Sequence, residues 1–350
     1  MNSHMFPANS QPFLTSGVTG IGGRIKVSPE DFRVEERPLY LPCGDGEHLY
    51  VRITKRGLST SDLVLRLSSV LGVKAKGIGV AGLKDAQAVT TQMVSLHGIP
   101  EDRLSRIRID EQLLSIDLLG RHRNRLRKGH HAGNTFHVKV RDVSSDAAII
   151  VPELLRELQR RGIPNYFGPQ RQGRGGMNYQ TGAQLLTDPE RRTRMGKSQR
   201  IWYLNAYQSY IFNRLLGSRI DRIDSVLLGD WAMKHENGAC FQVTDPTIEQ
   251  PRADRFEISP TGILFGSRAP WASGEPGAIE RAVVSNCGTT PESLSEAGAT
   301  CGFRGERRTF RIRLSNLGWS LDQGTLSLSF SLPPGAYATS VLRELMKGPE

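Results

Sequence analysis

The stretch "GIGVAGLKDAQAVTTQ", residues 77 to 92, carries three glycines spaced G-x-G-x-x-G, with Lys84 and Asp85 two and three residues after the last. A dinucleotide fold needs a strand before such glycines and a helix opening at the third, because the phosphate rests on that helix N-terminus. Here the order is reversed. Upstream, "STSDLVLRLSSVLG" supplies Ser and Thr as N-cap candidates, Leu63, Val64, Leu67, Val70 and Leu71 on one face, and Gly72 as a stop, which predicts a helix before the glycines. Downstream, the β-branched run Val89, Thr90 and Thr91 predicts a strand. The same residues do not make a P-loop, since Lys84 does not directly follow Gly82 and precedes Asp85 rather than Ser or Thr. What remains is a tight turn that presents Lys84 and Asp85 between regular elements. Taken alone, an aspartate in such a turn is most often a turn cap.

Outward from this turn, "HLYVRI" (48 to 53) and "NTFHVKVRDV" (134 to 143) alternate apolar with polar residues and predict half-buried strands. "VPELLRELQRRGIP" predicts a helix with Pro152 in its first turn, Leu154, Leu155 and Leu158 on one face, and Gly162 and Pro164 as terminators. The texture then changes: residues 165 to about 305 are rich in glycine and arginine clusters and hold a second apolar helix around "LNAYQSYIFNRLLGSRI". Alternating strands return with "FRIRL" (310 to 314) and "LSLSFSL" (326 to 332). The two ends of the chain are alike and the middle differs. The expectation is one α+β domain with a mixed, largely antiparallel sheet, built from residues 16–160 and 309–350, interrupted by an inserted α/β domain over 161–308 and preceded by a flexible tail over 1–15.

A net charge of +11 and a pI near 9.7 over 350 residues favour a polyanionic partner, with nucleic acid foremost. No apolar run is long enough to span a bilayer, and no secretory signal is legible, so neither a membrane nor export is expected. Cys43, Cys240, Cys287 and Cys301 lie far apart without a C-x-x-C pair, which suggests neither zinc nor disulfides and fits a reducing cytoplasm.

"GVAGLKDAQAVTTQ" resembles the motif that carries the nucleophilic aspartate of the TruD family of tRNA pseudouridine synthases. The resemblance extends in family order to "KVSPEDFRVEE", "GDGEHLY", "GNTFHVKVR", "NYFGPQRQG", "LNAYQSYIFNRLL" and "LPPGAYATSVLREL", spanning residues 26 to 345. It implies a pseudouridine-synthase-type catalytic domain with a TruD-specific insertion, and isomerisation of uridine to pseudouridine at position 13 of tRNA. It implies no cofactor, no metal and no protein partner. Carried over by position, Asp85 is the nucleophile, Asn134 and Phe136 of "GNTF" shape the uridine site, Phe32 of "EDF" contacts substrate, and Lys26 matches a basic residue of the first block. Two positions depart from the family pattern: Tyr337 stands where the closing motif usually has Phe, and Gln172 where "PQRQG" commonly has Phe.

The chemistry requires breaking the bond between C1′ and N1, turning the uracil, and joining C5 to C1′. A carboxylate can attack the sugar or remove a proton from it, and the residues alone leave both routes open. An aspartate is already ionised at pH 7 and needs positioning, for which Lys84 or a cation from elsewhere in the fold is a candidate. The uridine must also be extruded and received by stacking faces, for which Phe32, Phe136 and Tyr337 are suited, and by an amide, for which Asn134 is. Arg121, Arg123, Arg125, Arg127 and Lys128, just before Asn134, are candidates to grip flanking phosphates, and the runs Arg191 to Arg200 and Arg304 to Arg313 to grip more distant backbone. The competing expectation is a catalytically silent RNA-binding protein or tRNA chaperone on the same fold.

Overall fold

The computed structural model describes residues 11–173 and 176–348. The chain runs through β1 (Phe32–Pro38), β2 (His48–Arg56), α1 (Thr60–Leu71), β3 (Ile78–Val80), β4 (Val89–His97), β5 (Leu113–His122), β6 (His131–Val140) and α2 (Ala147–Arg161). It continues through β7 (Ile163–Pro164), α3 (Asn178–Thr187), α4 (Pro189–Arg194), α5 (Lys197–Ser218), β8 (Trp231–Lys234), β9 (Cys240–Gln242), α6 (Pro246–Asp254), β10 (Ile258–Leu264), α7 (Gly274–Asn286), α8 (Pro291–Cys301), β11 (Glu306–Thr309) and β12 (Arg311–Ile312). β13 (Ser315–Asp322), β14 (Thr325–Leu332) and α9 (Ala338–Met346) complete it. Two compact units result, one of Gly20–Pro152, Leu314–Ala338 and Leu345–Glu350, the other of Met1–Thr19, Glu153–Arg313 and Thr339–Glu344.

The first unit is built on an eight-stranded sheet in the order β13-β14-β6-β1-β4-β2-β5, with β3 on β4. Every pairing is antiparallel except β1 with β4. Its register decides what shares a face: Phe330 pairs with Phe136, Phe136 with Val34, Val34 with Thr90 and Thr90 with Lys55. The next row holds Leu332, Asn134 and Glu36. Helix α1 forms as its pattern predicts, with the Ser59 hydroxyl accepting from the Asp62 amide at 3.1 Å and Gly72 closing it in the left-handed region. Its apolar face packs Leu63, Leu67 and Leu71 against Leu49, Val51, Ile53, Val94 and Leu96 of β2 and β4. Among the glycines of the opening stretch, Gly79 serves packing: a Cβ on it, inside β3, would lie 2.3 Å from Ser95 Oγ and 2.5 Å from the Leu126 carbonyl.

Three expectations change. Helix α2 begins at Ala147, so Pro152 lies inside it rather than in its first turn; the Asp146 carbonyl accepts from the amides of Ile149 and Ile150 and starts the helix earlier. Of "FRIRL", only Arg311 and Ile312 pair as strand, with β7. Of the expected tail, residues 1–10 lie outside the described residues, while Leu14 and Thr15 are buried, with their amides on the Glu344 carboxylate at 3.2 and 3.1 Å.

The second unit carries a four-stranded antiparallel sheet, β11-β10-β8-β9, with helices α3 to α8. Here the middle of the run Arg304 to Arg313 is turned inward, while Arg304 and Arg313 at its ends are exposed. Arg307 donates to Glu280 Oε1 at 2.6 Å and Thr261 Oγ1 at 2.9 Å, Arg308 to the Asn165 carbonyl at 3.3 Å, and Arg311 to the Arg161 carbonyl at 3.0 Å. A buried guanidinium must be hydrogen-bonded, and Arg307, Arg308 and Arg311 make those bonds inside the unit, leaving these three unsuited to grip RNA. Gln172 is likewise buried, its amide donating to the Ala206 carbonyl at 3.1 Å.

Candidate active site

Asp85 sits in the loop between β3 and β4 with 46% of its side chain exposed. Its Oδ1 accepts from the Gln87 amide at 3.1 Å, a local turn that sets the rotamer. Its Oδ2 is hydrogen-bonded and ion-paired to Lys26 Nζ. Burial alone would push this carboxyl up, but the Lys26 hydrogen bond and the Gln87 amide outweigh it and hold the group below the ordinary aspartate value. Asp85 is therefore an anion at neutral pH, steered by one cation and still open to solvent.

Lys26 takes this position from an unusual backbone, with φ at 55°. Its ammonium lies 4.7 Å from the centre of the Phe32 ring. Phe32 is fixed in turn by the 3-10 turn before it, where buried Asp31 receives the Arg141 guanidinium at 2.7 and 2.8 Å and the Ser28 amide at 3.1 Å. Phe32 meets Phe136 edge to face at 6.2 Å, and Phe136 stacks on Phe330 at 5.4 Å. Phe32 and Phe136 are buried, so the rings form a rigid floor beneath the Lys26–Asp85 pair.

Lys84 does not secure Asp85, contrary to one expectation. It turns inward to Glu36 at 2.6 Å, with side chains 4% and 1% exposed. Glu36 Oε1 also accepts from the Met93 amide at 3.1 Å, and the Lys84 amide donates to Thr60 Oγ1 at 2.8 Å. Gly82 leaves room for this pair, since a Cβ there would stand 3.1 Å from Lys84 Nζ. The residue before Asp85 is thus pinned by backbone and side chain. Below it lies Lys55, fully buried, its ammonium on the Leu58 carbonyl; burial pushes its pKa down to about 8, with Asp85 pulling the other way.

Asn134, in register with Glu36, has a buried side-chain oxygen with no hydrogen-bond partner among the described residues. An orphaned buried acceptor is rare enough to call for a donor from elsewhere. Tyr337 is half-buried in the segment after β14 and makes none of the ring contacts found among the described residues.

The basic segment before Asn134 divides. Arg123 is bound to Asp45 at 2.7 and 2.9 Å, Arg121 faces Glu101 at 3.5 Å, and Arg125 donates to the Ile78 carbonyl at 2.7 Å. Arg127 and Lys128 are exposed and have no ion pair among the described residues. The Gly129 amide on the Ala81 carbonyl at 2.8 Å ties this segment to the Asp85 loop. On α4 and the start of α5, the run Arg191 to Arg200 is exposed or half-buried, with Arg194 on Glu190 at 3.1 Å.

Glu36, Lys55 and Phe330 were not singled out from the sequence, yet the signal is there. Continuing the two-residue period from Phe32 and Val34 reaches Glu36, and from Leu49, Val51 and Ile53 it reaches Lys55. A charge at an inward position of a strand marks a buried partner or a site.

The family model described as tRNA pseudouridine synthase D (TruD) matches residues 9–193 and 193–345. A tRNA pseudouridine synthase D of Thermus thermophilus is 42% identical, the alignment covering 98% of this chain and 94% of the relative. One of Geobacter metallireducens is 41% identical, covering 96% and 98%. The crystal structure of a putative tRNA pseudouridine synthase D (TruD) from Methanosarcina mazei superposes with a TM-score of 0.82 at 25% identity, over 97% of each chain. Among the described residues, no helix is long and apolar enough to cross a membrane.

Proposed function

This chain belongs to the TruD family, and from that membership we propose that it isomerises uridine to pseudouridine at position 13 of tRNA with Asp85 as its nucleophile. It is a tRNA pseudouridine synthase, an isomerase. The observation that carries the assignment of Asp85 is its setting: an ionised carboxylate, half open to solvent, held by Lys26 over a floor of aromatic rings.

The extruded uridine brings its ribose to the Asp85 carboxylate. Asp85 attacks C1′ as the bond to N1 breaks, giving an Asp85–C1′ ester and a uracil anion. The uracil turns, C5 attacks C1′ and expels the Asp85 carboxylate, and the proton on C5 is then lost to water as N1 takes one up. Lys26 keeps the carboxylate anionic and aimed, which saves the reaction from orienting it anew. The Asn134 side-chain oxygen, which lacks a partner among the described residues, accepts from the uracil N3–H. Phe32 and Phe136 support the base from below, while Tyr337, half-exposed, is the ring left to stack on it. Arg127 and Lys128 hold flanking phosphates.

The test is direct. Purified protein and an unmodified tRNA transcript, with no added cofactor, are expected to give pseudouridine at position 13 and at no other uridine, and tRNA from a strain lacking the protein is expected to lack it there. Tight tRNA binding without any pseudouridine would instead make the protein a silent RNA-binding member of the fold.

A further inference from the structure

A single exposed leucine on a protein surface is ordinary. Leu83 is set apart by its station. It is 65% exposed in the same loop as Asp85, two residues before it. Both sides of it are nailed down: the Ala81 carbonyl holds the Gly129 amide at 2.8 Å, and Lys84 is fixed through its amide to Thr60 and its ammonium to Glu36. Ala81 and Lys84 are buried, so the loop turns its neighbours in and Leu83 out. The tether at Ala81 also places the exposed pair Arg127 and Lys128 at the end of a short segment leading to this loop.

A base leaves its stack at a cost of a few kcal/mol, and the gap it leaves is unstable unless something apolar fills it. Two residues of backbone span at most about 7 Å, so a side chain at position 83 reaches the vacated stack while Asp85 meets the extruded ribose. We propose that Leu83 is an apolar wedge that enters the RNA stack where the target uridine leaves, and so holds the extruded state open for Asp85. This rests on the reading of the chain as a pseudouridine synthase.

The wedge is tested with a tRNA transcript carrying 2-aminopurine beside the target uridine, whose fluorescence rises when the stack opens. Extrusion is read in the Asp85→Asn background, where no turnover follows, with and without Leu83→Ala; rate is read by single turnover with Leu83→Ala and Leu83→Met alone. Leu83→Ala is expected to abolish most of the fluorescence rise and to slow single turnover about ten- to a hundredfold, as fits the loss of a buried leucine side chain. Leu83→Met, keeping apolar bulk, should stay within about threefold of wild type. Because Leu83 is exposed, the thermal midpoint of both variants should match wild type, which separates this effect from misfolding. If wild-type protein forms pseudouridine while Leu83→Ala matches it in rate and fluorescence, the wedge is wrong and the function stands. A slower Leu83→Ala with an undiminished fluorescence rise dismisses the wedge equally. Wild-type protein that makes no pseudouridine overturns the functional reading itself.

Discussion

At the scale of single residues, three charged side chains near Asp85 have separate duties. Lys26 steers the carboxylate, Lys84 anchors the loop through Glu36, and Lys55 lies buried beneath with its ammonium on the Leu58 carbonyl. The motifs that hold Asp85, Lys26 and Asn134 are distinctive in the sequence, but the pairing of Lys84 with Glu36 leaves no mark there, since it crosses two elements that no local pattern connects. Lys55 gives a pH test. Its pKa falls to about 8 in the fold against about 10.4 in the unfolded chain, so between those values the unfolded state binds more protons and stability rises with pH. Below about pH 8 both states are charged and the full burial cost remains. Relative to Lys55→Met, which does not titrate, wild type should gain about 1 to 3 kcal/mol from pH 7.5 to 10 in denaturant unfolding, as expected for a shift of this size. A constant difference across that range would mean the lysine keeps its ordinary pKa.

The elements matter because their register, more than their existence, assembles the site. Alternation in the sequence disclosed β2, β6 and β14, but not that β1 lies between β6 and β4, which is what places Phe32, Phe136 and Phe330 in contact. Pairings of strands far apart in the chain leave no periodic trace. The inward turn of Arg307 and Arg311 was hidden for a related reason: a run of arginines looks the same whether its partners are phosphates or buried carbonyls. Gly133 enforces the register next to Asn134. It sits at φ 130°, and a Cβ there would lie 2.3 Å from the Leu332 carbonyl oxygen, inside the β6–β14 pairing. Gly133→Ala is therefore expected to cost about 1 to 3 kcal/mol by denaturant midpoint and to lower activity, because the strand must part where Asn134 is held. A stability unchanged from wild type would show that the two strands separate there at no cost.

Over the whole molecule, the charge of +11 pointed to nucleic acid from composition alone, while the structure narrows which cations are free to act. Arg123 is committed to Asp45, and Arg127 and Lys128 have no ion pair among the described residues. Arg127→Gln with Lys128→Gln should weaken tRNA binding and flatten the dependence of log K on log salt by about 1 to 2, as expected for two lost phosphate contacts. Arg123→Gln should change that slope little, and a larger loss from Arg123 than from the pair would reverse the assignment. The central claim, that this basic scaffold exists to bring one uridine to Asp85, is tested most directly by single-turnover pseudouridine formation with Asp85→Asn. The variant keeps the size of the side chain and an acceptor for the Gln87 amide, so it should fold and bind tRNA within about threefold of wild type while forming no measurable pseudouridine. Near-normal turnover by that protein, with mass spectrometry excluding deamidation of the introduced asparagine back to aspartate, would contradict the account.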